Sequence, residues 1–171
     1  MSTRLLYPIS LLENGEFELA KRKLEEIRDA YPESFEAHYY LGIACSKLGE
    51  YRMAIAAFDV AIIMNSNDVD TFIARGDAHY SLEHYLEAEA DYSMVINALD
   101  PNNTYAYYRR GNTYVMWKRQ GDLDLAIIDY EKAISIDGSY YDAYIGMIDA
   151  YTEMGDLDAA QDVRQKVEAM F

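Results

Sequence analysis

Residues 41–58 read LGIACSKLGEYRMAIAAF, and the spacing of residues in this segment indicates the fold. A Leu-Gly pair ending at Gly42 is followed by a second glycine, Gly49, then by Ala54 and Phe58. Apolar residues recur at helical intervals on both sides of Gly49, so the spacing predicts two amphipathic helices joined by a tight turn there. Small residues at Gly42 and Ala54 would let the helices approach closely, and an aromatic ring would fill the space around the contact.

The same order of residues recurs with a period close to 34 residues. The recurring positions are Gly42, Gly76 and Gly111, then Ala54, Ala88 and Ala126, then Phe58, Tyr92 and Tyr130. A repeat of this length predicts stacked helical hairpins, because each hairpin can bury its apolar face only against its neighbours. The expected fold class is therefore all-α, an α-α superhelix of antiparallel helix pairs.

These residues resemble the tetratricopeptide repeat (TPR), which has a Leu-Gly-like pair in its first helix and small and aromatic residues in its second. The resemblance covers the whole chain and implies a single TPR domain, residues 1–171. Its five repeats are expected at residues 1–34, 35–68, 69–103, 104–140 and 141–171. No room is left for a second domain.

The repeats depart from the family pattern at several positions. Pro8 takes the usual glycine position of the first repeat, which predicts a shortened or kinked helix. Pro101 comes one place late, which implies one inserted residue in the third repeat. Extra residues at 115–120 predict that the first helix of the fourth repeat is prolonged by about a turn. In the fifth repeat, Ile148 replaces the first-helix glycine and Arg164 replaces the second-helix aromatic residue.

The charge balance restricts the partners. The chain has 15 Lys and Arg against 30 Asp and Glu, a net charge of −15, which argues against nucleic acid and predicts neutral or basic protein partners. No apolar run approaches the ~20 residues of a membrane span, and the run at 5–12 is too short and too interrupted for a signal peptide. The single cysteine, Cys45, cannot form an internal disulfide and is compatible with the expected cytoplasmic location.

In the TPR family the concave face is lined by first-helix residues and holds extended or helical peptides. Carried onto this chain, the resemblance implies a groove formed by Tyr39, Tyr40, Ile43, Asp70, Asp77, Tyr80, Tyr105, Tyr108, Arg109, Asn112, Asp142 and Asp149. Tyrosines offer large contact areas with few rotors to immobilise, and the carboxylates favour Lys or Arg on a ligand. The predicted function is a non-enzymatic scaffold or adaptor for a basic or amphipathic peptide. Alternatively, the tyrosines only cover the groove and the acids maintain solubility.

Chaperone-binding members of the family hold the C-terminal carboxylate of Hsp70 or Hsp90 in a clamp of converging cationic and amide donors. Arg109 and Asn112 are suitable residue types individually, but no set of three repeats supplies a complete cationic clamp. The Hsp70 and Hsp90 C-termini are therefore not the expected partners.

Catalytic activity is not expected of this chain. The phosphate-loop, nucleophile-elbow and HExxH patterns do not occur, so we predict no enzyme, no catalytic residue and no cofactor. His79 and His84 stand five residues apart and are better explained as a solvated pair than as a zinc site.

Two further features bear on partners. Trp117 either makes an extra partner contact or packs against the next repeat. The last helix is expected to leave an apolar edge at Val163, Val167, Met170 and Phe171, which would support a homo-oligomer. The alternative functions are therefore a self-assembling structural module that uses its repeat ends, or a regulatory or chaperone-like subunit of a larger assembly.

Overall fold

The computed structural model describes residues 3–170, and its regular structure within this range is entirely helical. A 3₁₀ turn at Thr3–Leu5 leads into ten α-helices. They are α1 (Leu6–Glu13), α2 (Phe17–Ala30), α3 (Phe35–Lys47), α4 (Tyr51–Met64), α5 (Val69–Ser81), α6 (Tyr85–Met94), α7 (Thr104–Trp117), α8 (Asp122–Ile136), α9 (Tyr141–Met154) and α10 (Leu157–Met170). The predicted all-α fold class is confirmed.

The helices group into two compact units, an N-terminal unit of Met1–His84 and a C-terminal unit of Tyr85–Phe171. Within each unit every helix packs against the next one along the chain, and α3 also contacts α5, as α7 contacts α9. Each unit has its own apolar core, with Leu24 and Phe58 at the centre of the first and Tyr130 and Tyr144 at the centre of the second. The single-domain organisation and the repeat boundaries stay predictions.

Side-chain caps fix where three of the helices begin. Ser34 Oγ accepts a hydrogen bond from the Ala37 amide at 3.3 Å, and Asp68 Oδ2 accepts one from the Thr71 amide at 2.9 Å. Asn103 Oδ1 does the same for α7. Each cap satisfies an amide that has no partner inside its helix, a contribution of about 0.5–2 kcal/mol. These caps orient α3, α5 and α7, the helices that carry most of the predicted groove.

The close helix contacts predicted at the glycines are present. A Cβ at Gly42 would overlap the ring of Phe58, and one at Gly111 would lie 2.7 Å from the ring of Tyr130. The turn at Gly49 adopts a φ of +75°, which a residue with a side chain rarely adopts. The sequence pattern thus identified both the contact and the turn of the second repeat correctly.

The predicted irregularities have local structural causes. Helix α1 has only eight residues against 13 in α3, so the shortening at Pro8 is confirmed. Pro8 is the third residue of α1, where its missing N–H removes no intrahelical bond. The inserted residue of the third repeat is accommodated by a π-helical turn, Val95–Leu99, that continues α6.

The predicted prolongation of the fourth repeat's first helix is wrong. Helix α7 has 14 residues, one more than α3, and ends at Trp117 because Lys118 adopts a left-handed φ of 58°. The Asp122 carboxylate then accepts a hydrogen bond from the Arg119 amide at 2.8 Å, which holds the connecting loop. Relative to the second repeat, α7 and the loop that follows it are each only one residue longer, so the extra residues add no full turn to the helix.

Candidate functional site

The first group of predicted site residues lies on α3 and α5 in the N-terminal unit, and we name it the N-terminal groove. Its members are Tyr39, Tyr40, Ile43, Asp70, Asp77 and Tyr80. Asp70 is exposed, whereas the other five are half-buried.

Tyr39 is the centre of the aromatic part of this groove. Its ring stacks on Phe35 at 6.0 Å between centroids, and it meets Tyr40 edge-on at 5.1 Å. Burial and, to a smaller extent, the neighbouring carboxylates of Asp70 and Asp68 together raise the pKa of the Tyr39 phenol to about 12. The fold therefore places the first carboxylate of α5 close to the tyrosines of α3.

A cavity of about 210 Å³ opens farther along the same two helices. Its lining residues come from α3, α4 and α5 and are Ile43, Ser46, Lys47, Tyr51, Ala74, Asp77, Ala78 and Ser81. Ile43 and Asp77, two of the predicted site residues, thus share one cavity. The small residues that create it were not among the predicted residues, although their spacing along α5 could have indicated them.

The second group of predicted site residues lies on α7 and α9 in the C-terminal unit, and we name it the C-terminal groove. Its members are Tyr105, Tyr108, Arg109, Asn112, Asp142 and Asp149. The two aspartates and Tyr105 are exposed, and the remaining three residues are half-buried.

Tyr108 is surrounded by other tyrosines. Its ring lies 6.5 Å from that of Tyr105, 6.2 Å from the buried ring of Tyr130 and 5.4 Å from that of Tyr140. Tyr140 was missing from the predicted site, although it directly precedes α9. Burial raises the pKa of its phenol, Asp142 raises it further and Arg109 lowers it, which places both charges near this ring.

Two other members of this groove have partners in their own unit. The Arg109 guanidinium lies 6.0 Å from the centre of the Tyr105 ring. Asn112 Oδ1 accepts a hydrogen bond of 2.7 Å from the Tyr130 hydroxyl. Asn112 therefore also holds a core side chain in place, a role that sequence spacing could not show.

Trp117 and two of the apolar residues of α10 are less exposed than the sequence suggested. Trp117 is half-buried, and the Arg119 guanidinium covers its ring at 3.3 Å. On α10, Val167 is buried in the core of the C-terminal unit and Val163 packs against that core. Met170 is 45% exposed, and Phe171 lies outside the described residues.

A buried polar network in the C-terminal unit was not predicted. Arg110 donates two hydrogen bonds to the Asp129 carboxylate, at 2.8 and 2.7 Å, and a third to Ser93 Oγ at 2.8 Å. The Ser93 hydroxyl donates to Glu89, and so does the Tyr114 hydroxyl. The network joins α6, α7 and α8, and the inward-facing charge of Asp129 is satisfied by a bidentate partner.

Cys45 and the pair of His79 and His84 are the other side chains that the sequence singled out for possible chemistry. Burial raises the pKa of the Cys45 thiol to about 11, so a thiolate is scarce at neutral pH. The His79 and His84 rings lie 5.8 Å apart. Within residues 3–170 no cluster of three or more metal-ligating side chains occurs. Over the same range, no helix combines the length and apolar character needed to cross a membrane.

One curated relative shares part of this sequence. The UDP-N-acetylglucosamine–peptide N-acetylglucosaminyltransferase of Giardia intestinalis is 30% identical over 99 residues, which make up 58% of this chain and 7% of the transferase. The chain thus spans a small fraction of that enzyme's length, and the match carries no evidence of catalysis here.

Solved structures share the fold. MamA from Desulfovibrio magneticus RS-1 superposes with a TM-score of 0.88 at 23% identity, over 97% of this chain and 92% of that one. The first TPR of Spaghetti, bound to the HSP90 peptide SRMEEVD, gives a TM-score of 0.66 at 21% identity, over 71% of this chain and 93% of that one. Tetratricopeptide repeat family models match residues 9–69 and 118–168. Because these two matches together cover more than half of the chain, the chain belongs to the tetratricopeptide repeat family.

Proposed function

We propose that the chain is a non-enzymatic, cytoplasmic adaptor that binds a basic or amphipathic peptide segment of a protein partner in its grooves. The observation that carries this proposal is the arrangement in the N-terminal groove. There the edge-to-face pair of Tyr39 and Tyr40 lies near Asp70, and an open cavity is bordered by Ile43 and Asp77. Aromatic faces next to a carboxylate form a surface that attracts a cation and an apolar stem together.

The charges of both grooves support a basic rather than an acidic ligand. Each groove carries two aspartates seven residues apart on one helix, Asp70 and Asp77 on α5 and Asp142 and Asp149 on α9. The peptide bound by the Spaghetti TPR, SRMEEVD, has one Arg against three acidic side chains. The aspartates would repel such a peptide, so we propose that the Hsp70 and Hsp90 C-termini are not the partners. The net charge of −15 likewise disfavours nucleic acid and anionic membrane surfaces.

The test is an NMR titration of the full-length ¹⁵N-labelled chain with three synthetic peptides. They are a basic amphipathic peptide, its counterpart with every Lys replaced by Gln, and SRMEEVD. We expect the basic peptide to bind most tightly and to shift the amide signals of α3 and α5, of α7 and α9, or of both helix pairs. Equal affinity for all three peptides, or shifts confined to α2, α4, α8 and α10, would contradict the proposal.

Asp70→Asn supplies the charge control. The substitution should weaken binding of the basic peptide at the N-terminal groove about 1.4- to 5-fold, because an exposed ion pair contributes roughly 0.2–1 kcal/mol. Asp158 is also exposed and is also the second residue of its helix, so Asp158→Asn changes the same charge outside the grooves. The Asp158 variant should bind the peptide as the unmodified chain does.

Self-association through the C-terminal end is the second candidate function. Two exposed apolar side chains on α10, Met170 at its end (45% exposed) and Leu157 at its start (62% exposed), favour it. The packing of Val163 and Val167 into the core reduces the apolar area available for it. Sedimentation velocity from 5 to 200 µM separates the two functions, since a strictly monomeric chain would eliminate self-association without affecting peptide binding.

A further inference from the structure

We propose that the N-terminal groove recognises a two-point motif in an extended segment. The cavity between α3 and α5 takes one aliphatic side chain, Leu, Ile or Met. The surface formed by Tyr39, Tyr40 and Asp70 takes a Lys or Arg about three residues away. This inference rests on the proposed function and specifies the ligand class of the same site.

The cavity exists because small residues meet where two helices face each other. Ala74, Ala78 and Ser81 follow one another along α5 at spacings of four and three residues, so they share one helix face. Ser46 contributes another small side chain from α3. Longer side chains at these positions would fill the space from within, as the Phe58 ring does beside Gly42.

The size of the cavity selects a side chain rather than a small molecule. Pockets for drug-sized ligands occupy about 300–1,000 Å³, whereas this cavity has about 210 Å³. Its walls include Ile43 and the methyl groups of Ala74 and Ala78, which favour an aliphatic group over a charged one. Burying one such side chain corresponds to roughly 10- to 100-fold in affinity.

Ser46, in the cavity wall, gives independent support for a ligand in the cavity. Its hydroxyl oxygen is buried and has no hydrogen-bond partner among the described residues. A buried, unsatisfied hydroxyl is unfavourable. Rotation of the Ser46 side chain toward the cavity would let a main-chain carbonyl of a bound segment, next to its aliphatic residue, accept the hydroxyl proton.

The spacing of the motif follows from α5. Asp70 and Asp77 are seven residues apart, which corresponds to about 10 Å along a helix that rises 1.5 Å per residue. An extended segment of polyproline-II type advances about 3.1 Å per residue, covers this distance in three residues, and directs side chains three positions apart to the same side. Lys47 borders the cavity and disfavours a second cation there, so the basic residue of the ligand belongs at the Asp70 end.

The experiment uses short synthetic peptides of one composition, with a single Lys and a single Leu in a Gly-Ser background. The two residues are separated by one to five positions, in both orders. In NMR titrations of the full-length chain, the peptides with Lys and Leu three positions apart should bind at least 10-fold more tightly than those with the residues adjacent or five apart. Replacing the Leu by Ala should cost a similar factor.

Two variants test the cavity directly. Ser81→Leu should fill it and abolish the preference for Leu over Ala. Ser135 is a matched control, since both serines are exposed and both hydroxyls bond a carbonyl of the preceding turn. Ser135→Leu should leave the preference intact. Ala74→Leu fills the same cavity from another turn of α5, and thermal unfolding of each variant verifies that it folds.

The outcomes distinguish this inference from the function on which it rests. Binding at α3 and α5 that depends on Asp70 but not on Leu or on spacing would overturn the two-point motif and leave peptide binding standing. Peptides that produce no shifts on α3 or α5 would overturn both the motif and the use of this groove.

Discussion

The N-terminal and C-terminal grooves share a carboxylate pattern but differ in what lies opposite it. In the predicted repeat frame, Asp70 corresponds to Asp142 and Asp77 to Asp149. Facing them, the N-terminal groove has Tyr40, Ile43 and Ser46, whereas the corresponding positions of the C-terminal groove hold Arg109, Asn112 and Val115. Two surfaces with the same carboxylate spacing therefore differ in the charge and the size of the side chains on the opposing helix.

The internal supports of the two units differ as well. In the C-terminal unit the Arg110–Asp129 pair is largely buried, with the Asp129 side chain only 3% exposed. In the N-terminal unit Arg75 contacts Asp59 at 2.6 Å, but the Asp59 side chain is 49% exposed. Removing a carboxylate should therefore have very different consequences in the two units, and the predictions below begin with this contrast.

The largest expected effect belongs to Asp129→Ala. The substitution leaves the Arg110 guanidinium without its bidentate partner, so the free energy of unfolding should fall by about 3–5 kcal/mol. Asp59→Ala removes a largely solvated pair and should cost at most about 1 kcal/mol. Urea unfolding of both variants checks the contrast. Similar losses would show that the two ion pairs support their units equally.

A second prediction concerns the close contacts that define the fold. A Cβ at Gly42 would overlap the buried Phe58 ring, so Gly42→Ala should destabilise the chain by about 1–3 kcal/mol. Gly138 is a suitable control, because the nearest atom to a Cβ there is 3.9 Å away. Thermal unfolding should show little change for Gly138→Ala. Peptide binding lost in Gly42→Ala alone would report damage to the fold rather than a contact.

A third prediction concerns the raised phenol pKa of one tyrosine in each unit, Tyr39 and Tyr114. The pKa of Tyr39 and that of Tyr114 are each raised from 10.0 to about 12, mainly by burial. Carboxylates contribute to the shift of Tyr39, whereas Arg110 opposes the shift of Tyr114. The folded state therefore holds these phenol protons more tightly than the unfolded chain does. The resulting stabilisation is complete below pH 10 and is lost as the pH rises from 10 to 12.

The measurement is urea unfolding at pH 8, 10 and 11.5. Tyr39→Phe and Tyr114→Phe should each remove about 1 kcal/mol of the alkaline loss, after allowance for solvent screening. Comparing each variant with itself across pH separates this effect from the cost of the lost hydroxyl. A slope identical to that of the unmodified chain would show that the phenol in question is not shifted.

Most of the fold could be predicted because its determinants are local. The Gly42, Gly49 and Phe58 pattern identified a helix contact and a turn, since sterics at a glycine depend on few neighbours. The late Pro101 identified an insertion that the structure accommodates as a π-helical turn. The length of α7 was misjudged because its end depends on the left-handed Lys118 and the capping Asp122, and neither belongs to the repeat pattern.

The candidate sites were less predictable because they depend on pairs of helices. Residue positions within the repeats placed Tyr39 and Asp70 on helices that the structure brings together. The cavity beside Asp77, however, depends on small residues from two helices at once. Asp129 also resembled a surface acid in the sequence, and only its pairing with Arg110 explains its burial.

The smallest expected effect tests whether Arg109 sets the difference between the grooves. Arg109 lies near Asp142 and Tyr140, so it partly neutralises the carboxylate that a basic ligand would contact. Arg109→Gln should therefore increase the affinity of the C-terminal groove for the basic amphipathic peptide about 2- to 5-fold, the range of an exposed ion pair. The measurement is the dependence of the α9 amide shifts on peptide concentration. Lys132→Gln removes an exposed cation of α8 and should leave the affinity unchanged. If Arg109→Gln instead weakened binding, the guanidinium would itself be a ligand contact, and the C-terminal groove would be specific for a segment carrying both charges.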